Sequence, residues 1–318
     1  MYTMGENSIF KKAQEAKNKT EEAVKNEQEY LEELANKLKE EYGDNTVTPP
    51  TQTEPTDAPI ENIKGDWAII EKIAKEIAKD DSVTSETEEV KVVIDGKRYT
   101  IKPGDIFEAE YNGEVRRVRV LGFKHDDLVD QTVYGGTHEK ASISFEFYDC
   151  LGTHNMNGTS TDTSTNVNGW ATTEMRTFLE GLNGRGQLNN NSYIKQVKKQ
   201  YIKTYNDASS VTISNDYLWL LSSSEIFNDG NNGGDTRGYA ITKEGEQYLY
   251  YKNNAKEAYN ISSTNRIKYS KGNADYWWLR SPAAYSDVAF DGLIPEGMLG
   301  NGTGWSFYDF GVAPGFCI

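Results

Sequence analysis

The chain has 318 residues, of which 36% are hydrophobic, and its formal charge is −15. This acidity argues against nucleic-acid binding and against a polybasic membrane-binding patch, because there is no basic surface to release counterions from phosphates. No apolar run approaches the roughly 20 residues of a membrane span. The hydrophobic fraction is low for a globular protein, which predicts that part of the chain lies outside any core.

The first predicted element is a long polar helix over residues 7–42, rich in good helix formers and without Pro or Gly. Within it, Glu33 can pair with Lys37 one turn later. The apolar stripe is narrow and consists mainly of Ala in its middle, which fits either a solvated helix or a stalk. We favour a stalk over residues 1–45, which offers a surface for self-association without specifying the number of chains.

A Pro/Thr-rich linker is predicted over residues 46–62, because four of the chain's eight prolines occur there. Residues 63–88 then contain a helix at about 65–80 that packs on the next domain or leads into it. From residue 89 on, the pattern changes to strands and turns, and it predicts one domain that extends to residue 318.

Turn residues divide the start of this domain into two hairpins. Asp95-Gly96 joins the first pair of strands, and Asn112-Gly113 joins the second. The loop at 152–168 is long and rich in Thr, Ser, Asn and Gly, which is typical of a functional surface. The remaining predicted elements are a strand at 142–149, a helix starting at Thr172 or Thr173, an amphipathic helix at 193–205, a short strand at 217–221, a short helix starting at 222 and a strand at 276–280.

No motif for catalysis or for a bound cofactor stands out. The three histidines have no partner at metal-ligand spacing. The acidic Gly/Asn-rich loop Asp229–Asp235 is the one candidate for calcium, but it lacks the spacing of an EF-hand. Cys150 and Cys317 fit either one tertiary disulfide or two buried thiols. The sequence therefore predicts no catalytic residue, no metal site and no cofactor.

The C-terminal tail consists of two rigid-looking blocks, 276–282 and 311–318, on either side of an irregular segment at 283–310. The aromatic residues of the first block are expected in the core, with Arg280 tied to a buried carboxylate or to backbone carbonyls. The glycines of the segment break any regular element, and its aromatic residues are too many to bury, which predicts an exposed binding surface. Phe290 is expected to point inward and hold the segment. The alternative is an ordinary Gly-rich loop packed on its own domain.

Five blocks carry a family resemblance: GWATTEMRTFL (169–179), LWLLSSSEIF (218–227), GEQYLYY (245–251), YWWLRSP (276–282) and the closing GVAPGFCI (311–318). In this order they resemble a bacterial C-type-lectin-fold domain, akin to the formylglycine-generating enzyme. Such domains occur as the variable proteins of diversity-generating retroelements in gut bacteria and their phages. The resemblance covers about residues 90–318. It implies an α+β fold in which the last two blocks are a fixed frame and the segment between them is rewritten from copy to copy.

In that family the rewritten side chains form a ligand-binding face. By position they are here Tyr285, Ser286, Asp287, Val288, Ala289, Asp291, Ile294, Glu296, Asn301, Thr303, Trp305, Phe307, Tyr308 and Phe310. The implied structural frame comprises Trp277, Trp278, Arg280, Phe290 and Phe316, with Gly297 as a further scaffold position. The usual mutable Asn codons cannot become Glu, Met or Trp by changes at their adenines. Glu296, Met298 and Trp305 are therefore either fixed or derived from other codons.

The N-terminal region, GENSIFKKAQEAKNKTEEAVKNEQEYLEEL at residues 5–34, resembles the part of clostridial pilin-like proteins that follows their membrane helix. Only four residues precede it in this chain. The resemblance implies a natural protein that is anchored or pilus-like, and a chain that is a soluble truncation of it. The expected location is the cell surface, the extracellular space or a virion.

The predicted protein is thus a C-type-lectin-fold domain of the α+β class on a helical stalk. Its predicted function is non-catalytic, adhesin-like binding of a protein or a surface glycan, with no nucleic-acid partner. One alternative is an oxidase of the formylglycine-generating type, although Cys317 lacks the closely spaced partner cysteine of those enzymes. The other alternative is a purely structural pilus or stalk subunit.

Overall fold

The computed structural model describes most of the chain from residue 54 onward and a few residues before it. The described residues are 30, 32–33, 36–37, 54–184, 186–203, 211–227, 244–257, 259–283, 286–300 and 304–318. The chain divides into two compact units, Met1–Thr53 and Glu54–Ile318. The predicted stalk therefore lies almost entirely outside the described residues.

The described residues of the first unit are helical and exposed. Among them, the ammonium group of Lys37 lies 2.8 Å from the carboxylate of Glu33, so the predicted i, i+4 ion pair is confirmed. An exposed pair of this kind stabilises a helix by about 0.3–0.5 kcal/mol.

The second unit is an α+β structure built mostly of short strands, which confirms the predicted class. In chain order its strands are β1 (Thr56–Asp57), β2 (Val90–Ile94), β3 (Lys97–Ile101), β4 (Ile106–Tyr111), β5 (Glu114–Phe123), β6 (Asp127–Leu128), β7 (Ile143–Phe147), β8 (Thr153–His154), β9 (Val197–Ile202), β10 (Val211–Asp216), β11 (Lys268–Ser270), β12 (Asn273–Asp275), β13 (Trp277–Pro282), β14 (Phe290–Leu293), β15 (Phe310–Gly311) and β16 (Gly315–Cys317).

The α-helices of this unit are α1 (Trp67–Lys79), α2 (Glu174–Gly184), α3 (Ser223–Ile226) and α4 (Leu249–Asn254), and 3-10 helices lie at Ile60–Ile63, Gly169–Thr172 and Thr264–Arg266. Two of the predicted helix starts are confirmed by their caps. The hydroxyl of Thr173 accepts a hydrogen bond from the Arg176 amide at the start of α2, and Ser222 forms a capping box with Glu225 around α3. None of the helices in the described ranges is long and apolar enough to cross a membrane.

The predicted linker ends inside this unit rather than before it. Strand β1 pairs in parallel with β3, which pairs antiparallel with β2. Asp66 caps α1 by accepting a hydrogen bond from the Ile69 amide. On the buried face of α1, the ring of Trp67 meets the rings of Phe145 and Phe316 edge-on at 5.6 and 5.7 Å. The start of this unit therefore shares a core with the C-terminal tail.

Both predicted hairpins are confirmed. Asp95-Gly96 joins β2 to β3 and Asn112-Gly113 joins β4 to β5, and all four turn residues have φ between 51° and 78°. This left-handed backbone is the reason that Asn or Asp followed by Gly favours a tight hairpin. Strand β5 also pairs with β7, and β7 pairs with β16, which gives a sheet of order β16-β7-β5-β4. The last block of the tail is thus a strand of this sheet.

The predicted amphipathic helix at 193–205 is wrong, because Val197–Ile202 form strand β9. This strand lies between β10 and the short β6. Its buried residues include Lys199, whose ammonium group lies 2.5 Å from carboxylate oxygens of both Asp126 and Glu225. A charged residue on the buried side hides the alternation typical of a strand, and the remaining apolar residues then have helical spacing. The predicted strand at 217–221 is also absent, apart from one bridge between Trp219 and Gly315.

Strand β13 opens the tail and lies inside a sheet of order β14-β13-β15-β8. It pairs antiparallel with β14 and in parallel with β15, and β15 pairs antiparallel with β8. The irregular segment of the tail leaves β13, returns along it as β14 and comes back to its other side as β15. Both ends of the segment are therefore attached to the same strand.

Candidate functional site

The site is built on Arg280, which is fully buried within β13. Its guanidinium group forms a fork with Glu225, in which Nη1 and Nη2 lie 2.6 and 2.9 Å from the two carboxylate oxygens. Arg280 also donates to the backbone carbonyls of Gln200, Leu220 and Glu244 at 2.8–3.0 Å. A planar bidentate pair of this kind is specific in geometry as well as strong. Arg280 thereby fixes β13 against three other parts of the chain.

The other predicted frame residues are also buried. The indole nitrogens of Trp277 and Trp278 donate to the carbonyls of Arg266 and His154 at 3.0 and 2.8 Å, so neither ring carries an unsatisfied polar atom into the core. Phe316 stacks on Phe145 with ring centroids 5.3 Å apart. Phe290 is buried as well, and its amide donates to the Gly304 carbonyl.

The segment between the frame blocks is more ordered than its composition indicates. Its described residues include a strand, β14, and eleven of them are buried: Ala283, Ala289, Phe290, Asp291, Gly292, Leu293, Gly297, Leu299, Gly300, Gly304 and Ser306. The glycines permit close backbone contacts. A Cβ on Gly304 would lie 2.1 Å from the Phe290 carbonyl oxygen, and one on Gly297 would lie 2.2 Å from that of Ser263. The expectation that the glycines of the segment break any regular element is wrong at Gly292, which lies within β14.

Asn166 attaches the loop at 152–168 to this segment. Its side-chain amide donates to the carbonyls of Ser286 and Ala289 at 2.6 and 2.7 Å, and its backbone amide donates to the carbonyl of Asp287 at 2.7 Å. Asn166 is itself buried, so these bonds form out of competition with water. The loop that the sequence marks as functional thus supports the segment from one side.

Ser306 holds the other end of the segment against the same loop. Its carbonyl accepts hydrogen bonds from the amides of Met156 and Asn157, both at 2.8 Å, and its hydroxyl accepts one from the Thr165 amide. The Ser306 amide in turn donates to the Val288 carbonyl. Four hydrogen bonds at one residue fix the backbone next to the exposed aromatic side chains.

Six aromatic rings, which we call the aromatic cluster, run from the core to the surface: Trp278, Tyr276, Phe310, Tyr308, Phe307 and Trp305. Phe310 lies between the two ends, with its ring centroid 4.5 Å from that of Trp278, 5.0 Å from that of Tyr276 and 5.8 Å from that of Tyr308. The rings therefore form one continuous set of contacts.

At the outer end of the aromatic cluster, Trp305 and Tyr308 are each 38% exposed. Their ring planes differ by only 8°, with centroids 6.2 Å apart, and Phe307 contacts both rings at 5.7 and 4.7 Å. The other five tryptophans of the chain are at most 3% exposed. Exposed aromatic residues on a fixed backbone can bind by stacking with little loss of side-chain freedom.

Two of the predicted variable residues lie in the interior, which corrects the expectation that they face a ligand. Ala289 is buried just before β14, and its backbone forms a bridge to Trp305. Asp291 is buried in β14, where its carboxylate accepts a hydrogen bond from the Ser223 hydroxyl at 2.6 Å. Both residues support the surface from behind.

The structure places the other predicted variable residues as follows. The exposed residues are Asp287, Glu296, Trp305 and Tyr308; those of intermediate exposure are Ser286, Val288, Ile294, Phe307 and Phe310; and Tyr285, Asn301 and Thr303 lie outside the described residues. Sequence reasoning missed Tyr276, which it assigned to the core, and the exposed Asp309. The position of Asp309 between two aromatic residues is the signal that could have identified it.

Buried ion pairs connect the sheets around the frame. Burial by itself raises the pKa of Asp126, but Lys199 and His125 outweigh it and hold that pKa well below its usual value. In a second group, Glu146 pairs with Arg119 and with Lys268. Burial again opposes the ionised carboxylate, yet the two cations lower the pKa of Glu146. These charges compensate one another and act as structural ties.

Cys150 and Cys317 are both free and buried, which decides between the two possibilities left by the sequence. Burial raises the pKa of Cys150 to about 12, and burial together with Asp126 raises that of Cys317 well above its usual value. Neither thiol therefore forms an appreciable amount of thiolate at neutral pH. Among the described residues, no group of three or more His, Cys, Asp or Glu could hold a metal ion, and the candidate calcium loop at 229–235 lies outside them.

Fold and site together define an α+β protein that presents aromatic side chains on a hydrogen-bonded frame. Residues 145–318 match the family described as Domain of unknown function (DUF6273). Because the match covers more than half of the chain, the chain belongs to this family. No curated protein and no solved structure gives a significant match. The family region begins inside β7 and includes the frame, the aromatic cluster and Asn166.

Proposed function

We propose that the protein is a non-catalytic binding protein that holds its ligand with the exposed end of the aromatic cluster. In this proposal the domain at 89–318 has a C-type lectin fold and is the variable protein of a diversity-generating retroelement. Its ligand is a protein or a surface glycan at the outer face of a cell or virion. The N-terminal unit serves as a pilin-like stalk.

The observation that carries the proposal is the contrast between backbone and side chains in the segment 286–310. The backbone is tied to the loop at 152–168 through Asn166 and Ser306, while Trp305 and Tyr308 remain partly exposed. Exposed aromatic anchors on an ordered backbone are typical of binding surfaces, because little entropy is lost when the ligand binds.

A surface that changes from copy to copy requires a backbone whose order does not depend on the changing side chains. Several of the bonds that hold this segment come from backbone groups or from residues outside it, such as Asn166. This arrangement supports the retroelement part of the proposal. A template repeat and a reverse-transcriptase gene beside the coding sequence are its expected genomic signature, and a complete genome with neither would contradict this part.

The oxidase alternative receives no support from the two thiols, since both are buried and protonated at neutral pH. The aromatic cluster also lacks the thiol groups that an oxidase of this type uses. Among the described side chains of the aromatic cluster and its neighbour Asp309, the polar groups are tyrosine hydroxyls, indole N–H groups and one carboxylate. These groups suit stacking and hydrogen bonding to a ligand.

Binding selections on the purified protein test the function directly. We expect the wild-type protein to select ligands from a random dodecapeptide phage library or from a glycan array. The triple variant Trp305→Ala/Phe307→Ala/Tyr308→Ala should lose them. A matched control is Tyr217→Ala/Tyr269→Ala, which removes two aromatic side chains of similar exposure elsewhere on the surface. Failure to select any ligand, or equal binding by the triple variant, would contradict the proposal.

A further inference from the structure

We infer that the ligand of the aromatic cluster is cationic, namely a basic segment of a partner protein whose Arg or Lys side chains lie on the rings of Trp305 and Tyr308. This inference rests on the proposed function, because it assigns a ligand class to the same surface. The charge of the surrounding chain and the geometry of the rings carry it.

The parts of the chain around the aromatic cluster lack basic residues. No Lys, Arg or His occurs in residues 281–318, and no Lys or Arg occurs in residues 141–175, which include the supporting loop at 152–168. The exposed charged residues in these two stretches are all acidic: Asp162, Glu174, Asp287, Glu296 and Asp309. The surface formed by these stretches therefore attracts cations and repels anions.

The basic residues nearest in sequence do not cancel this charge. Arg176 follows the first stretch, but its guanidinium group pairs with Asp216 at 2.6 Å and with Glu180 at 2.9 Å. Arg280 precedes the second stretch, and it is buried against Glu225. Between Lys268 and Arg280 the one exposed base is Lys271, in the turn between β11 and β12. Of the bases nearest in sequence, Arg176 and Arg280 are thus paired with carboxylates, which leaves Lys271 as the exposed one.

Asp309 lies between two members of the aromatic cluster, Tyr308 and Phe310, and is exposed. No hydrogen bond or ion pair of its carboxylate is found among the described residues. A guanidinium or ammonium group that stacks on the ring of Tyr308 can pair with a nearby carboxylate at the same time, and Asp309 is the next residue along the chain.

The two outer rings suit a planar cation. The planes of Trp305 and Tyr308 differ by 8°, so the two rings are nearly parallel. Aromatic faces carry negative potential, and indole attracts cations more strongly than the other aromatic side chains do. A neutral sugar would gain from stacking on the same rings but nothing from the acidic surroundings. The charge of the surface therefore favours a basic protein segment over a neutral glycan.

The dodecapeptide selection on the wild-type protein tests the ligand class. We expect the selected peptides to be enriched in Arg and Lys relative to the unselected library. Selected peptides without such enrichment, or a glycan array on which neutral glycans bind through Trp305 while basic peptides do not, would overturn the inference and leave the proposed function intact. Selection of no ligand of either kind would instead contradict the proposed function.

A charge-matched comparison then tests Asp309. For one selected peptide, isothermal titration calorimetry should show that Asp309→Asn weakens binding about three- to tenfold, while Asp81→Asn, an equal charge change in the exposed turn after α1, has little effect. Replacing the peptide's Arg residues by neutral citrulline should weaken binding to the wild-type protein by at least as much. Equal effects of Asp309→Asn and Asp81→Asn, or full binding by the citrulline peptide, would overturn the inference.

Discussion

The ring of Phe310 lies 4.5 Å from the ring of the fully buried Trp278. This contact links the exposed aromatic rings to the hydrophobic core. The exposed end of the aromatic cluster is therefore held by packing as well as by the backbone bonds of Asn166 and Ser306, and the cost of truncating a ring should fall from the inside outward.

This gradient gives the first prediction. Trp278→Ala should lower the free energy of unfolding by about 3–5 kcal/mol, because it leaves a large cavity, whereas Trp305→Ala should cost about 1 kcal/mol or less. Phe310→Ala should lie between the two. Urea denaturation of the three variants measures the order. A loss at Trp305 as large as that at Trp278 would mean that the Trp305 ring is part of the core.

Asn166 provides a test of the hydrogen bonds that hold the segment. Asn166→Asp replaces the amide that donates to the Ser286 and Ala289 carbonyls with a carboxylate that can only accept, so buried acceptors would face each other. We expect a loss of about 2–4 kcal/mol in the free energy of unfolding, and faster hydrogen exchange at residues 286–290. Asn157→Asp is the control, because among the described residues the side chain of Asn157 makes one hydrogen bond, to the Thr165 carbonyl. Equal losses in the two variants would refute the role of Asn166.

A pair of glycine substitutions tests the close backbone contact in the segment. Gly304→Ala places a Cβ 2.1 Å from the Phe290 carbonyl oxygen, so the backbone must move, whereas a Cβ on Gly184 at the end of α2 meets no atom of the described residues within 4 Å. We expect Gly304→Ala to lower the melting temperature by several degrees, on the order of 1–3 kcal/mol of lost stability, and Gly184→Ala to leave it unchanged or slightly raised. Similar melting temperatures for the two variants would show that the segment adapts freely.

Glu244 should make stability depend on pH near neutrality. Burial raises the pKa of its carboxyl to about 7 from an ordinary value of 4.5, although Arg280 partly opposes the rise. Between these two pH values the folded state keeps a proton on Glu244 that the unfolded state releases. The contribution of protonated Glu244 to stability is therefore fully present below about pH 4.5 and is lost as the pH rises through about 7. The loss should reach about 3 kcal/mol.

The comparison of wild type with Glu244→Gln separates the pH dependence of stability due to Glu244 from that due to the other buried carboxyl groups. The amide keeps an oxygen that can accept the hydrogen bond of the Ile202 amide and cannot ionise. We expect the variant to gain stability relative to wild type as pH is raised from 5 to 8. Parallel stability profiles over that range would rule out a titrating Glu244.

The hairpins could be predicted because turn chemistry is local: Asp95-Gly96 and Asn112-Gly113 adopt left-handed backbone by their own preference. The capping box of Ser222 and Glu225 is a similar local signal. Strand β9 could not be predicted in this way. Lys199 is buried only because Asp126 and Glu225, which are distant in sequence, surround its charge, and no local pattern reports such partners.

The candidate site likewise has features that local sequence predicts and features that depend on distant contacts. The aromatic residues and the frame blocks stand out in the sequence by composition. Which residues of the segment face outward depends on how its backbone pairs with neighbouring strands. The hydrophobic residues of the segment follow neither a helical nor a strand period, so the sequence does not predict this pairing. Asp291 turns inward in β14, which pairs with β13, and its carboxylate meets the Ser223 hydroxyl, while Ala289 just before β14 forms a bridge to Trp305. These contacts arise only once the chain has folded.

Five tryptophans are buried and Trp305 is exposed, so Trp305 can serve as an intrinsic fluorescence probe of the proposed binding surface. Because contact with solvent shifts indole emission to longer wavelength, we expect the red edge of the emission spectrum to report mainly on the one ring at the proposed binding surface. Contrast between bound and free protein would therefore appear in a single spectral component, with the buried rings as an internal reference and with no dye attached.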